Sequence, residues 1–113
     1  MKMRDLLKDD VVILEISGKI MEYEASTLMR GKIHEFIDLN KRNFVLDLAK
    51  VPWMNTNGIS MLLAARDAVK EAGGRLVLCG LTKKTLDVLV IMHLVSKFET
   101  FESREAALKS FAA

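Results

Sequence analysis

One cysteine in 113 residues, Cys79, rules out an internal disulfide framework. It lies inside the apolar run Leu76 to Cys79, where a thiol reads as a small buried hydrophobe suited to a reducing compartment. A nucleophilic Cys79 would need a nearby base and an electropositive pocket, and no residue pattern supplies them. No apolar run approaches the ~20 residues needed to cross a bilayer; Val88 to Met92 is as long as any. Asp5, Asp9, Asp10 and Glu15 break every N-terminal stretch that a secretory leader would need, so a cytoplasmic location is expected. Charge of one sign is also missing. Seventeen Lys and Arg stand against fifteen Asp and Glu, interspersed, for a net +2, which gives no footprint for nucleic acid.

Several chemical signatures are absent as well. Gly18-Lys19 and Gly31-Lys32 lack the glycine five residues earlier that a phosphate-cradling loop requires. His34 and Asp38 are one helical turn apart but have no second histidine or third ligand, so an exposed, ion-paired helix face is the expected reading and no metal or cofactor is implied. The chain has no linker, low-complexity tract or residue-level repeat, and a single domain over residues 1–113 is expected.

What is present is a repeated pattern. Met1 to Lys8 and Val11 to Ile16 suggest a hairpin turned at Asp9-Asp10, the second strand being nearly continuous in β-branched and aliphatic residues. Ala25, Leu28, Met29, Ile33, Phe36 and Ile37 fall at the three-and-four spacing of a helical stripe. Phe44 to Leu48 is a second buried-type strand, followed by a helix using Ile59, Leu62, Leu63 and Val69 and stopped by Gly73-Gly74. Arg75 to Cys79 is a third strand, and Thr82 is placed to cap a helix whose stripe is Leu86, Leu89, Val90 and His93 or Leu94, with His93 half-buried. Phe98 to Phe101 reads as a short last strand, and Ser103 caps a final helix with Ala107, Leu108 and Phe111 facing inward. The expected fold is α/β: a mostly parallel sheet of repeated βα units, an N-terminal antiparallel edge strand and about four helices burying the Leu28, Phe36, Leu62 and Leu89 faces.

Parallel sheets meet ligands and partners at the carboxyl ends of their strands. Three loops should therefore share one rim: Gly18 to Glu24, Lys50 to Thr56, and Gly80 to Lys84. The stretch Val51-Pro52-Trp53-Met54-Asn55-Thr56-Asn57-Gly58 joins the second strand of this series to its helix, and Asn55, Thr56 and Asn57 are three candidate caps, Thr56 foremost. A hydroxyl there can also carry a phosphate, because a helix N-terminus offers free N–H groups and partial positive charge. Lys19, Met21, Tyr23, Trp53, Thr82 and Lys83 are expected to build the partner surface with this loop, and Met54 is a further candidate contact. Gly58 is expected to serve close packing or loop geometry.

The order of elements, with Leu46-Asp47-Leu48, Val51, an aromatic, Met54, a polar triplet and Gly58, resembles the STAS domain of bacterial anti-sigma-factor antagonists. The likeness continues through Gly73-Gly74-Arg75-Leu76-Val77-Leu78 and Phe98 into Ser103-Arg104-Glu105-Ala106-Ala107-Leu108. Family members open the second helix with Asp-Ser-Ser-Gly-Leu or Asp-Ser-Ala-Gly-Leu, and the first serine is phosphorylated by a partner kinase. The aligned stretch here is Asn55-Thr56-Asn57-Gly58-Ile59, so the acid is replaced by Asn55 and the serine by Thr56. The resemblance implies a non-enzymatic interaction module with Thr56 as phosphoacceptor and Asn55, Asn57 and Gly58 in the partner-binding loop. Its implied partners are a kinase-type anti-sigma factor, whose capture releases a sigma factor, and a phosphatase. The alternatives are a STAS subunit of a signalling or transport complex whose loop is not phosphorylated, and a small α/β enzyme using Cys79.

Overall fold

The computed structural model describes residues 1–112. Its elements run β1 (Lys2–Lys8), β2 (Val11–Ser17), α1 (Ala25–Asp38), β3 (Asn43–Lys50), α2 (Thr56–Glu71), β4 (Arg75–Cys79), α3 (Lys83–Ile91), a 3₁₀ turn (Val95–Lys97), β5 (Glu99–Phe101) and α4 (Arg104–Lys109). One five-stranded sheet holds the strands in chain order, β1-β2-β3-β4-β5. β1 is antiparallel to β2, and every later pair is parallel. The hairpin closes through Asp9 and Asp10, both at positive φ (50° and 68°), as a two-residue primed turn requires.

Each crossover steps one strand in the same direction, so right-handed connections must put α1, α2 and α3 on the same face. The packing agrees. Alternate residues of the strands, Val12, Leu14, Ile16, Phe44, Leu46, Leu48 and Leu78, join Met29, Ile33, Leu62 and Leu89 in the main core. The opposite set, Val11, Ile13, Val45, Val77 and Cys79, forms a smaller core under Ala107, with Leu108 and Phe111 packed against it. α4 covers this second face, capped by Ser103, whose Oγ accepts from Ala106 N at 3.1 Å.

Two helices are phased differently from the expected stripes. In α1 the row Ala25, Met29, Ile33 is buried, Phe36 and Ile37 are half-buried, and Leu28 is 52% exposed. In α3 the inward residues are Thr85 and Leu89, while Leu86, Val90 and Ile91, and Met92 at the C-cap, face out. His93 is not a packing residue at all. It is exposed at φ 57°, just past the end of α3, in the left-handed position that Gly73 takes after α2.

Candidate functional site

The parallel ladder does not stop where β2 and β3 end. Gly18 N donates to Lys50 O at 3.0 Å, Ile20 N to Trp53 O at 3.1 Å, and Asn55 N to Ile20 O at 3.1 Å, with Ile20 and Met54 forming an isolated parallel bridge. Both bridge residues are buried, so Met54 belongs to the core and not to the exposed rim. Side chains complete the join. Asn57 Nδ2 donates to Met21 O at 2.9 Å, and Asn55 Nδ2 approaches the same carbonyl at 3.5 Å. From the other side Thr82 Oγ1 donates to Val51 O at 3.0 Å and lies 3.0 Å from the buried Thr85 hydroxyl. The loops after β2, β3 and β4 are thus one hydrogen-bonded piece.

The cap of α2 is Asn55. Its backbone is extended (φ −97°, ψ −164°), and its Oδ1 accepts from Asn57 N at 2.8 Å, satisfying one of the otherwise unpaired first-turn N–H groups. Thr56, the cap expected from the sequence, is instead the first helical residue, and it is exposed. Its hydroxyl is therefore not committed to the cap. Gly58 follows one turn from Met54, and a Cβ there would sit 2.5 Å from Met54 Cβ, so close packing explains this glycine. Thr82 occupies the cap position of α3 without accepting a backbone bond, because its hydroxyl is turned toward Val51.

Around Thr56 the rim presents apolar and aromatic side chains: Tyr23 is 89% exposed, Met21 48% and Trp53 37%. These residue types are enriched in protein interfaces. Lys19 is exposed in the loop after β2 and Lys83 at the start of α3, where it is paired with Asp87 at 3.3 Å. Thr82 is half-buried. Glu22, next to Met21, is held below its ordinary pKa, first by the Met21 N–H that donates to it at 3.1 Å. The geometry can offer a solvent-facing hydroxyl at a positive helix end inside a firm apolar surface, which suits docking and phosphoryl acceptance.

One charged cluster escaped the sequence reading. Glu15 and Asp47 are register partners on β2 and β3, two carboxylates side by side on the α4 face. Arg104, the first residue of α4, holds both: Nη2 donates to Glu15 at 2.5 Å and Nε to Asp47 at 2.9 Å. The Arg104 hydrogen bond, then that of Lys50, keeps Glu15 below its ordinary pKa. Each acid interrupts an otherwise apolar strand, and that was the available signal. Cys79 is the next register partner of Asp47 and fully buried; burial, followed by the Asp47 charge, pushes its pKa up to about 12, so the thiol is neutral. His34 lies on the exposed face of α1, near a Lys32–Glu35 pair at 3.5 Å, and no group of three or more potential metal ligands occurs among the described residues.

Fold and rim together define a small α/β module whose three loops after β2, β3 and β4 form one hydrogen-bonded surface. The family model for the STAS domain matches residues 5–107, and the chain belongs to that family. It is 28% identical over 103 residues to BtrV of Bordetella bronchiseptica, a protein named as a candidate anti-sigma factor antagonist, covering 91% of this chain and 88% of the relative. A solved candidate anti-sigma factor antagonist of Thermotoga maritima superposes with a TM-score of 0.85 at 18% identity, covering 96% of this chain and 92% of the other. The anti-sigma factor antagonist SpoIIAA superposes in its unphosphorylated form (TM-score 0.71, 12% identity, 96% of each chain) and, from Bacillus, in its phosphorylated form (0.73, 15%, 98% of this chain and 100% of the other).

Proposed function

We propose that this chain is a bacterial, cytoplasmic anti-sigma-factor antagonist: its rim binds a kinase-type anti-sigma factor, the bound sigma factor is released, and phosphorylation of Thr56 turns the binding off. A phosphatase resets the protein. The observation that carries this reading is the exposed Thr56 hydroxyl at the first position of α2, uncommitted to the cap and set among exposed Met21, Tyr23 and Trp53. Three of these similar proteins bear the name of antagonist, one of them solved with and without phosphate, which supports carrying the role over. The neutral, buried Cys79 supports a non-catalytic module. No described helix is long and apolar enough to cross a membrane.

The switch follows from electrostatics. A phosphate brings about 1.5 to 2 negative charges, which the N-terminus of α2 favours by roughly 0.3 to 1 kcal/mol, so the fold tolerates it. Docking would strip water from that charge, and a buried charge without a counter-ion costs several kcal/mol, enough to reduce affinity by orders of magnitude. Intact-mass measurement on protein isolated from its own cells tests this: one phosphate that disappears in Thr56→Ala is expected. A chain that never carries phosphate would favour the second reading, a constitutive STAS subunit of a signalling or transport complex. The replacement of the family Asp-Ser pair by Asn55-Thr56 is the observation on that side.

A further inference from the structure

At the amino edge of the sheet, away from the rim, the last turns of α2 face the starts of β4 and β5 across an open recess of about 240 Å3. Arg66, Lys70, Arg75 and Lys97 line it with a single carboxylate, Glu99, and with Leu76 among its apolar walls. That is four cations to one anion in a chain whose charges nearly balance overall. Arg75 and Glu99 neutralise each other through two bonds, Nε to Oε2 at 2.9 Å and Nη2 to Oε1 at 2.8 Å. The remaining Arg75 nitrogen donates to Ser110 O at 2.9 Å, and the guanidinium lies 4.5 Å above the Phe111 ring, so this arginine is a structural tie between sheet and α4.

Three cations are left. Arg66 Nε donates to the main-chain carbonyl of Lys97 at 2.9 Å, which brings one positively charged residue onto the backbone of another. Lys70 follows Arg66 at i+4 on α2, a like-charge spacing that destabilises a helix. Arg66 reaches Asp67 at 3.3 Å, whereas Lys70 and Lys97 have no ion-pair partner among the described residues. A positive charge near the C-terminal end of α2 is favoured by the helix dipole, which accounts for Lys70 but not for three cations together.

We propose that this recess binds the diphosphate group of a small anion. Lysine and arginine together supply point charge and planar donors to phosphate oxygens, and two unpaired lysines, Lys70 and Lys97, beside an Arg66 whose one carboxylate contact is with its chain neighbour Asp67, call for a ligand of more than one negative charge. The volume is below the roughly 300 Å3 at which sites begin to enclose whole drug-sized ligands, so the recess holds the charged group alone. Thr56 opens α2 and Lys70 nearly closes it, about 21 Å away by helical rise, so this site is separate from the rim and does not depend on the function proposed for it.

The test is a backbone-amide NMR titration of the full chain with inorganic diphosphate at constant ionic strength, with sulfate as the control anion and ADP as a second arm. Saturable shifts centred on Arg66, Lys70, Leu76 and Lys97, and weakened at least about tenfold in Lys70→Gln/Lys97→Gln but unchanged in Lys83→Gln, are expected. Equal affinity for diphosphate and ADP assigns the group alone; tighter ADP binding at the same residues assigns a nucleoside diphosphate as its source. Shifts that do not saturate, that sulfate reproduces, or that survive the double substitution in a variant with an otherwise native spectrum would overturn the proposal.

Discussion

α2 and α3 both follow a parallel strand through a rim loop, yet they are anchored in different ways. α2 buries Gly58, Ile59, Met61, Leu62, Ala64, Ala65, Ala68 and Val69, and its first turn is capped by the Asn55 side chain. α3 buries only Thr85 and Leu89, lacks a side-chain cap bond, and leaves Leu86, Val90 and Ile91, and Met92 at the C-cap, exposed. A helix buried over half its length is a firm platform for a residue at its exposed end. This is why a charge added at Thr56 is expected to alter what the rim binds before it alters whether the chain folds.

The comparison can be broken by substitution. Leu62→Ala should cost roughly 2 to 5 kcal/mol in chemical denaturation, whereas Val90→Ala, on the outer face of α3, should stay within about 0.5 kcal/mol. Similar midpoints for the two variants would remove the contrast between the helices. Gly58→Ala comes next: its Cβ must displace Met54, an overpacking that typically costs about 1 to 3 kcal/mol, and because Met54 bridges to Ile20 the amide of Ile20 should lose exchange protection. Asn55→Ala, which deletes the α2 cap, should cost about 1 kcal/mol by the same denaturation measurement, and more than Thr56→Ala. The reverse order would return the cap to Thr56.

The strands, their parallel order, the antiparallel entry and the rim were legible because apolar runs separated by helical stripes leave few topologies. Helix phase was less so. Leu28 and Leu86 lie three or four residues from buried positions and satisfy a stripe on paper, but the face that meets the sheet is chosen by tertiary packing, and in α3 a threonine is buried where a leucine was expected. At the site, the three loops were brought to one rim by topology alone, yet their joining through Ile20, Met21 and Val51 carbonyls depends on backbone geometry that side-chain pattern does not encode. The cap was misplaced by one residue because Asn55, Thr56 and Asn57 all suit it chemically, and only the extended backbone at Asn55 decides. Arg104 was missed because it pairs with residues 57 and 89 positions away.

The central claim is that Thr56 controls binding and not folding. Isothermal calorimetry against the anti-sigma factor proposed as its partner, on wild type, Thr56→Glu and Thr56→Ala, tests it most directly when each protein's denaturation midpoint is recorded alongside. The account predicts that Thr56→Glu loses at least about tenfold in affinity, that Thr56→Ala binds like wild type, and that all three unfold within about 0.5 kcal/mol of one another. Equal affinity for all three proteins would contradict it.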